Sequence, residues 1–448
     1  MNFSDTIIAL STPQGAGAIA VIRLSGSKAI ATVNEVFYGK DLEVAPSHTL
    51  HFGTLRKNKT IIDEVVIGLY KAPRSYTKED VVEISTHGSD YIVQQVIQLF
   101  LDKGIRLAEA GEFTKRAFLH GAMDLAQAEA VADLIASDSE SSHQSAMHQM
   151  RGGFSNEIKI LRDQLIKFAS LIELELDFGE EDVAFADRDE LNTLVNQLKG
   201  KISTLITSFQ FGNVIKNGVP IAIVGKPNAG KSTLLNALLN EEKAIVSDIA
   251  GTTRDFIEDE IIIEGIRFRF IDTAGLRETT DKVEAIGVQR SIEQMEQSSL
   301  ILYLFDNQSI DKEELNQDIN KIKEKNIPYL LVGNKVDLKD SSIIPEALTI
   351  SALEKRGLQN LKEQIVHKVR IKEINTSQTV VTNARHYESL SNALDALEKV
   401  SEGLSLGMSG DLLAMDIRQS LHYLGLITGE ISTDDLLDSI FRDFCIGK

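Results

Sequence analysis

The most constraining feature of this chain is an eight-residue turn, Gly225-Lys226-Pro227-Asn228-Ala229-Gly230-Lys231-Ser232. It lies between the apolar run VPIAIVG and the helix-patterned KSTLLNALLN. The turn matches G-x-x-x-x-G-K-[ST]. Its glycines let backbone N–H groups approach an anion with no side chain in the way, and the following helix directs its positive end at the same anion. Lys231 is expected to reach the β and γ phosphates of a nucleotide, and Ser232 to ligate Mg²⁺. Further apolar runs at FRFIDTAG, LILYLFD and YLLVGNK alternate with helical patterns. That alternation predicts a doubly wound, mostly parallel sheet.

Four more elements follow along the same segment. Asp272-Thr273-Ala274-Gly275 ends a strand. A carboxylate there can hold Mg²⁺ through water, and the Gly275 amide can contact the γ-phosphate. Asn334-Lys335-Val336-Asp337 follows another strand. The Asp337 carboxylate can accept both the N1–H and the 2-amino group of guanine, a donor pair that adenine lacks, so the expected nucleotide is GTP. Ser351-Ala352-Leu353 follows the run ALTI and offers a backbone amide to the guanine O6. Gly251-Thr252-Thr253-Arg254-Asp255 lies between the first two motifs, and a threonine hydroxyl there can complete the Mg²⁺ shell. Ras-like proteins orient the attacking water with a glutamine directly after D-x-x-G; here that position is Leu276, which cannot do so. Arg277, Glu278 and Glu284 are the downstream candidates. Charge on the γ-phosphate also calls for a cation beyond Mg²⁺ and Lys231, either an arginine from elsewhere or a bound monovalent ion.

At 448 residues the chain is too long for one core. Residues 1–118 mix strand runs (IAVIRL, VVIGLY, VVEIS) with a helix pattern over 91–103 that ends at Gly104, as in a compact α/β or α+β domain. Residues 119–215 and 373–448 have helical spacing and little Gly or Pro, and 124–150 reads as long helix. They flank the α/β segment 216–372, which predicts a helical domain interrupted by an inserted Ras-like P-loop domain. Net charge is −19. Residues 1–118 hold 13 basic and 13 acidic residues, 119–215 hold 7 and 16, and 373–448 hold 5 and 12. The helical flanks thus carry most of the excess, which argues against loose nucleic-acid binding and against a basic RNA-binding appendage after the nucleotide domain. The opening residues lack a basic segment and apolar core of the secretory type, and no apolar run approaches the length that spans a bilayer. The single cysteine, Cys445, permits no intramolecular disulfide and fits a reducing, cytoplasmic setting.

Taken with these motifs, the segments DTIIALSTPQGAGAIAVIRLSG, SYTKEDVVEISTHG, GEFTKRAFL, DLAQAEAVADLI and the final Phe444-Cys445-Ile446-Gly447-Lys448 resemble the MnmE (TrmE) family of tRNA uridine-34 modification GTPases from end to end. The resemblance implies a K⁺-activated GTPase whose nucleotide domains dimerise across their nucleotide faces. It carries nucleotide contacts onto Asn228, Ala229, Gly230, Lys231, Ser232 and Thr233. It extends them to Ser247, Asp248, Ile249, Ala250, Gly251, Thr252 and Thr253, to Asp272, Thr273, Ala274 and Gly275, to Asn334, Lys335 and Asp337, and to Ser351, Ala352 and Leu353. Mg²⁺ then takes Ser232 and Thr253, with Thr253 preferred to Thr252; K⁺ takes Asn228, Ser247, Ile249 and Thr252. Glu284 matches the glutamate that positions the hydrolytic water, Lys231 is catalytic, and Arg277 and Cys445 are further catalytic candidates.

The resemblance further implies that the N-terminal domain forms a homodimer and binds 5-formyl- or 5,10-methylene-tetrahydrofolate through Arg23, Glu83 and Lys448. A fourth folate contact falls on Ala122, where relatives usually carry Lys or Arg; neighbouring Lys115 or Arg116 could compensate. Lys78 and Ser89 stand where glycine is usual, and His87 in STHG reads as structural. The implied partner is the flavoprotein MnmG (GidA), which carries FAD and assembles with this protein in a heterotetramer-type complex. Together they add an aminomethyl-type group, including carboxymethylaminomethyl, to C5 of the wobble uridine of certain tRNAs. The competing expectation is a GTP-gated ribosome-assembly or RNA-binding switch, which the acidic C-terminal segment disfavours. A membrane-remodelling GTPase would need an anchor that the sequence lacks.

Overall fold

The structure, a computed structural model, describes residues 5–177, 188–242, 259–271, 296, 298–308, 312–337, 344–369, 380–442, 444, 446 and 447. The chain begins with β1 (Ile7–Leu10), β2 (Gly17–Ser25), α1 (Ala29–Asn34), β3 (Phe37–Tyr38), β4 (Thr49–Lys57), β5 (Thr60–Tyr70) and β6 (Val81–Gly88). There follow α2 (Asp90–Leu101), β7 (Arg106–Leu107), α3 (Glu112–Leu119), α4 (Leu125–Ala136), α5 (Glu140–Met150), α6 (Gly153–Asp177) and α7 (Arg188–Asn217). The nucleotide segment contains β8 (Val219–Val224), α8 (Lys231–Glu242), β9 (Asp259–Ile263), β10 (Ile266–Phe270), β11 (Leu300–Asp306), α9 (Lys312–Glu324), β12 (Tyr329–Asn334), β13 (Leu348–Thr349) and α10 (Leu358–Val369). The last helices are α11 (Ala384–Ser405), α12 (Gly410–Thr428) and α13 (Asp434–Arg442). These elements form two compact units, one of residues 1–132, 149–187 and 406–448, the other of 133–148 and 188–405.

The first unit holds a seven-stranded sheet in the order β3-β4-β5-β6-β2-β1-β7, antiparallel except where β1 meets β7. Alternation along the strands divides its two faces. Ile22, Leu24, Ile67, Leu69 and Ile84 enter the core, which α2 closes with Val96, Leu99 and Phe100. On the opposite face Leu50, Phe52 and Ile19 are exposed. The expected strands at IAVIRL, VVIGLY and VVEIS are present as β2, β5 and β6, and the helix before Gly104 is α2. Sequence reading did not assign β4, where an apolar outer face blurs the inside–outside alternation. Helix α6 packs on α12 in the same unit.

The second unit is built on a six-stranded sheet, β13-β12-β11-β8-β10-β9, parallel apart from the β9–β10 hairpin. Its strands β8 and β11 are buried on both faces, which explains their near-continuous apolar sequence. On β11, Leu300, Leu302 and Leu304 join the core with Leu234, Leu238 and Phe268, while Ile301, Tyr303 and Phe305 meet Leu315 and Ile319 of α9. Helix α7 packs closely on the chain leading into α11: a Cβ on Gly212 would stand 1.9 Å from the Val381 carbonyl oxygen, and Phe209 stacks on Tyr387. Residues 124–150 do not form one helix, because Ser137, Asp138 and Ser139 separate α4 from α5. Ser137 Oγ returns to the Leu134 carbonyl and Ser139 Oγ accepts the Ser142 amide, local bonds that compete with helix continuation.

Candidate nucleotide site

The loop after β8 is shaped by two close approaches. At Gly225 (φ +151°) a Cβ would lie 2.0 Å from the Leu304 carbonyl oxygen, and at Gly230 (φ +95°) it would lie 2.3 Å from Asn334 Nδ2. Only glycine permits both the backbone and the contact. Asn228 between them takes φ +64°. Lys231 opens α8 and donates to the carbonyls of Gly225 (2.6 Å) and Lys226 (2.9 Å). Burial holds its ammonium below the usual lysine range. Its acceptors here are neutral, so a phosphate would supply the compensating charge. Ser232 and Thr233 are exposed on the first turn of α8, where a hydroxyl is a hard oxygen donor of the kind Mg²⁺ accepts. Lys226 itself pairs with Glu314 on α9.

Asn334, buried at the end of β12, ties two loops together. Its Nδ2 donates to the Ala229 carbonyl at 2.9 Å, and its Oδ1 accepts the Ala352 amide at 3.0 Å. The phosphate loop and the Ser351–Leu353 turn are thereby held by one side chain. Ser351 is buried, its backbone pairs with Arg356, and its Oγ accepts the Glu354 amide; Leu353 is exposed. Lys335 adopts φ +67°, and its Nζ lies 2.8 Å from Asp306 Oδ2. Asp337 Oδ1 is buried with no hydrogen-bond partner. An orphaned buried acceptor of this kind costs about 1–3 kcal/mol, and more when charged, unless a ligand donor meets it. A guanine edge supplies two such donors.

The structure thus brings together Asn228, Ala229, Gly230, Lys231, Ser232, Thr233, Asn334, Lys335, Asp337, Ser351, Ala352 and Leu353 on adjoining loops at the carboxyl ends of β8, β12 and β13. Such strand ends are where doubly wound sheets bind ligands. Ser247, Asp248, Ile249, Ala250, Gly251, Thr252, Thr253, Asp272, Thr273, Ala274, Gly275, Arg277, Glu284, Cys445 and Lys448 lie outside the described residues.

A second polar cluster occupies the outer face of the N-terminal sheet. Arg23 and Glu83 are cross-strand partners on β2 and β6, with Arg23 Nη2 2.7 Å and Nε 2.9 Å from Glu83 Oε1. The Arg23 guanidinium also stands 5.3 Å from the Tyr76 ring centroid and 5.7 Å from that of Phe113. Neither aromatic contact was legible from spacing, because Tyr76 comes from a loop and Phe113 from α3. Ala122 is exposed. The neighbours expected to compensate for it are engaged elsewhere: Lys115 pairs with Asp438 at 2.5 Å, and the fully buried Arg116 pairs with Asp5, Glu79 and Glu112. Lys78 instead reaches this point, its Nζ donating to the Gly121 carbonyl at 2.6 Å.

Buried charge around Arg116 is strongly coupled. Burial alone would raise the Glu112 carboxyl, but hydrogen bonds from Arg106, the Glu109 amide and Arg116 outweigh it and hold the group below the usual range. Asp5 is likewise lowered, its desolvation outweighed by Arg106 and Arg116.

The profile of the MnmE helical domain matches residues 125–445, and that of the GTP-binding protein TrmE N-terminus matches residues 6–122. A tRNA modification GTPase MnmE from Cytophaga hutchinsonii is 58% identical over 453 residues, covering 100% of this chain and 98% of the relative. The protein of that name from Flavobacterium psychrophilum is 55% identical with 100% of both covered, and that from Bacteroides thetaiotaomicron 48% identical with 99% of both covered.

Proposed function

This chain belongs to the MnmE family of tRNA modification GTPases, and from that premise we propose how its own residues perform the reaction. Backbone amides of Asn228–Ser232 and the Lys231 ammonium hold the phosphates of GTP, and Asp337 selects guanine through the N1–H and 2-amino group. Asn334 keeps the phosphate loop and the base loop in one register. Glu284 orients the attacking water, with Arg277 as a second candidate, because Leu276 cannot. Ser232 and Thr253 would hold Mg²⁺, and Asn228, Ser247, Ile249 and Thr252 would hold K⁺, ions that would supply positive charge where the phosphoryl group carries negative charge. The products are GDP and phosphate. The observation that carries this reading is the buried, unpartnered Oδ1 of Asp337.

The Arg23–Glu83 pair, flanked by Tyr76 and Phe113, is proposed as the ring-binding end of a tetrahydrofolate site that Lys448 completes. A half-buried charged pair offers both donors and acceptors to a heterocycle with amide and amino edges. Lys78, tethered beside Ala122, takes the place of the basic residue absent there. The exposed apolar face of Leu50, Phe52 and Ile19 supports homodimerisation through the N-terminal unit. With the flavoprotein MnmG, which contributes FAD, the dimer modifies C5 of the wobble uridine of tRNA in the cytoplasm. The reduced folate, when bound, supplies the one-carbon unit. No described helix is long and apolar enough to cross a membrane.

Two measurements test the proposal. GTP turnover is expected to be much faster in K⁺ than in Na⁺ at equal ionic strength, and equal rates would refute the monovalent site. Mass spectrometry of tRNA nucleosides from a deletion strain is expected to show unmodified wobble uridine, restored by the wild-type chain; unchanged nucleosides would remove the tRNA assignment.

A further inference from the structure

The strand between the two halves of the nucleotide site ends in a carboxylate, Asp306, that none of the nucleotide motifs contains. In the sheet, β11 lies between β12, which leads to Asn334–Asp337, and β8, which leads to the phosphate loop. The three strands are parallel, so their carboxyl ends open on the same side. The end of β11 touches both neighbours. The Leu304 carbonyl oxygen is the atom that a Cβ on Gly225 would strike, and the Asn307 amide donates to the Asn334 carbonyl at 3.1 Å. Asp306 stands between these two contacts, opposite Asn334 in the strand register.

Both oxygens of Asp306 are engaged. Oδ1 accepts the Gln308 amide at 2.9 Å, closing a turn of its own chain, and Oδ2 accepts the Lys335 ammonium at 2.8 Å. The pair is largely covered, with the Asp306 side chain 19% and the Lys335 side chain 33% exposed. Lys335 takes φ +67°, a conformation that a residue with a Cβ keeps only where its surroundings impose it. Backbone bonds impose it from both sides, through the Asn334 carbonyl and through the Val336 amide, which donates to the Ile350 carbonyl at 3.3 Å. The turn is therefore fixed without the lysine side chain. The bond to Asp306 is additional, and it holds a side chain that would otherwise extend its head into water. A side chain already fixed has less rotamer freedom to lose when a ligand arrives.

We propose that Asp306 is a positioning residue for nucleotide binding, which holds Lys335 in place at the base end of the site. This rests on the guanine reading of Asp337. Asp306 acts through Lys335 alone, and the ammonium it holds neutralises a carboxylate that would otherwise stand bare in a site for an anion. The tether works at the base end, so GTP and GDP gain from it equally and phosphoryl transfer gains nothing.

Titration of the full-length protein with GDP and with a non-hydrolysable GTP analogue tests this, beside steady-state GTP hydrolysis. D306N retains an acceptor for the Gln308 amide but turns an amide donor toward Lys335. It is expected to weaken both nucleotides about fivefold, the upper end for a partly exposed ion pair, and to raise KM with kcat unchanged. In a K335M background, with nucleotide carried high enough to saturate, adding D306N is expected to change neither affinity. Unchanged affinity in D306N overturns the proposal, as does a loss confined to the GTP analogue or a fall in kcat without a rise in KM. A loss of the same size in the K335M background assigns Asp306 a structural role and overturns it too. Failure of wild type to bind either nucleotide, or guanine affinity unaltered in D337N, overturns the base-site reading itself, a result distinct from these.

Discussion

Asp337→Asn isolates the group on which the proposed guanine selection depends. In the free protein Asp337 Oδ1 is buried without a partner, while Asn334 beside it is fully engaged by Ala229 and Ala352. The substitution therefore leaves the loop scaffold in place and changes only the acceptor. Two charge-assisted hydrogen bonds to guanine, at about 1.5–3 kcal/mol each, become one neutral bond and one donor facing a donor. A net loss of about 3–4 kcal/mol corresponds to a factor of roughly 10²–10³ in Kd. Xanthine carries a carbonyl where guanine carries its amino group, so the asparagine amide can donate to it and accept N1–H. XTP is expected to bind the variant better than GTP. Because only one oxygen of the half-exposed Asp337 is buried and an asparagine leaves that position equally unpartnered, apo stability is expected to change little. Titration of the full-length protein with GTP, XTP and ATP, with thermal denaturation of the apo form, checks all three. GTP affinity within threefold of wild type, or no preference for XTP, would refute the argument.

Other expectations concern buried charge. Lys231 is held in the folded protein with its ammonium disfavoured by burial, so its destabilising contribution is present below its lowered titration point and relieved as pH rises through it. K231M should leave apo stability unchanged or raise it by up to about 1 kcal/mol. At GTP a hundredfold above Kd the wild type should gain about 2.7 kcal/mol and K231M almost none, read from urea midpoints. Asp5 and Glu112 are lowered in the folded state, so their contribution is complete above the ordinary carboxylate range and lost as pH falls through it toward their lowered values. R116M leaves Glu112, only 3% exposed, with Arg106 as its remaining charged partner, and should cost about 3–5 kcal/mol at neutral pH. That gap should narrow near pH 4, and a pH-independent gap would assign the effect to packing alone.

The loops of the proposed nucleotide site that the structure describes were legible in the order of residues because each is local. Gly225 to Ser232 carries its own turn, and Asn334 to Asp337 its own strand end, so short motifs retain the information. The strands buried on both faces were legible for a similar reason, since β8 and β11 are nearly all apolar and flanked by helix patterns. Tertiary structure decided what depends on residues far apart in the chain. It showed that Asn334 bridges two loops, that Asp337 keeps a free acceptor, and that Lys115 and Arg116 are committed to partners while Lys78 reaches Gly121. It also joined Asp63 to His87 and laid Arg23 against Tyr76 and Phe113. Sequence spacing encodes which face a side chain occupies, whereas the partner it meets is set by packing between distant segments.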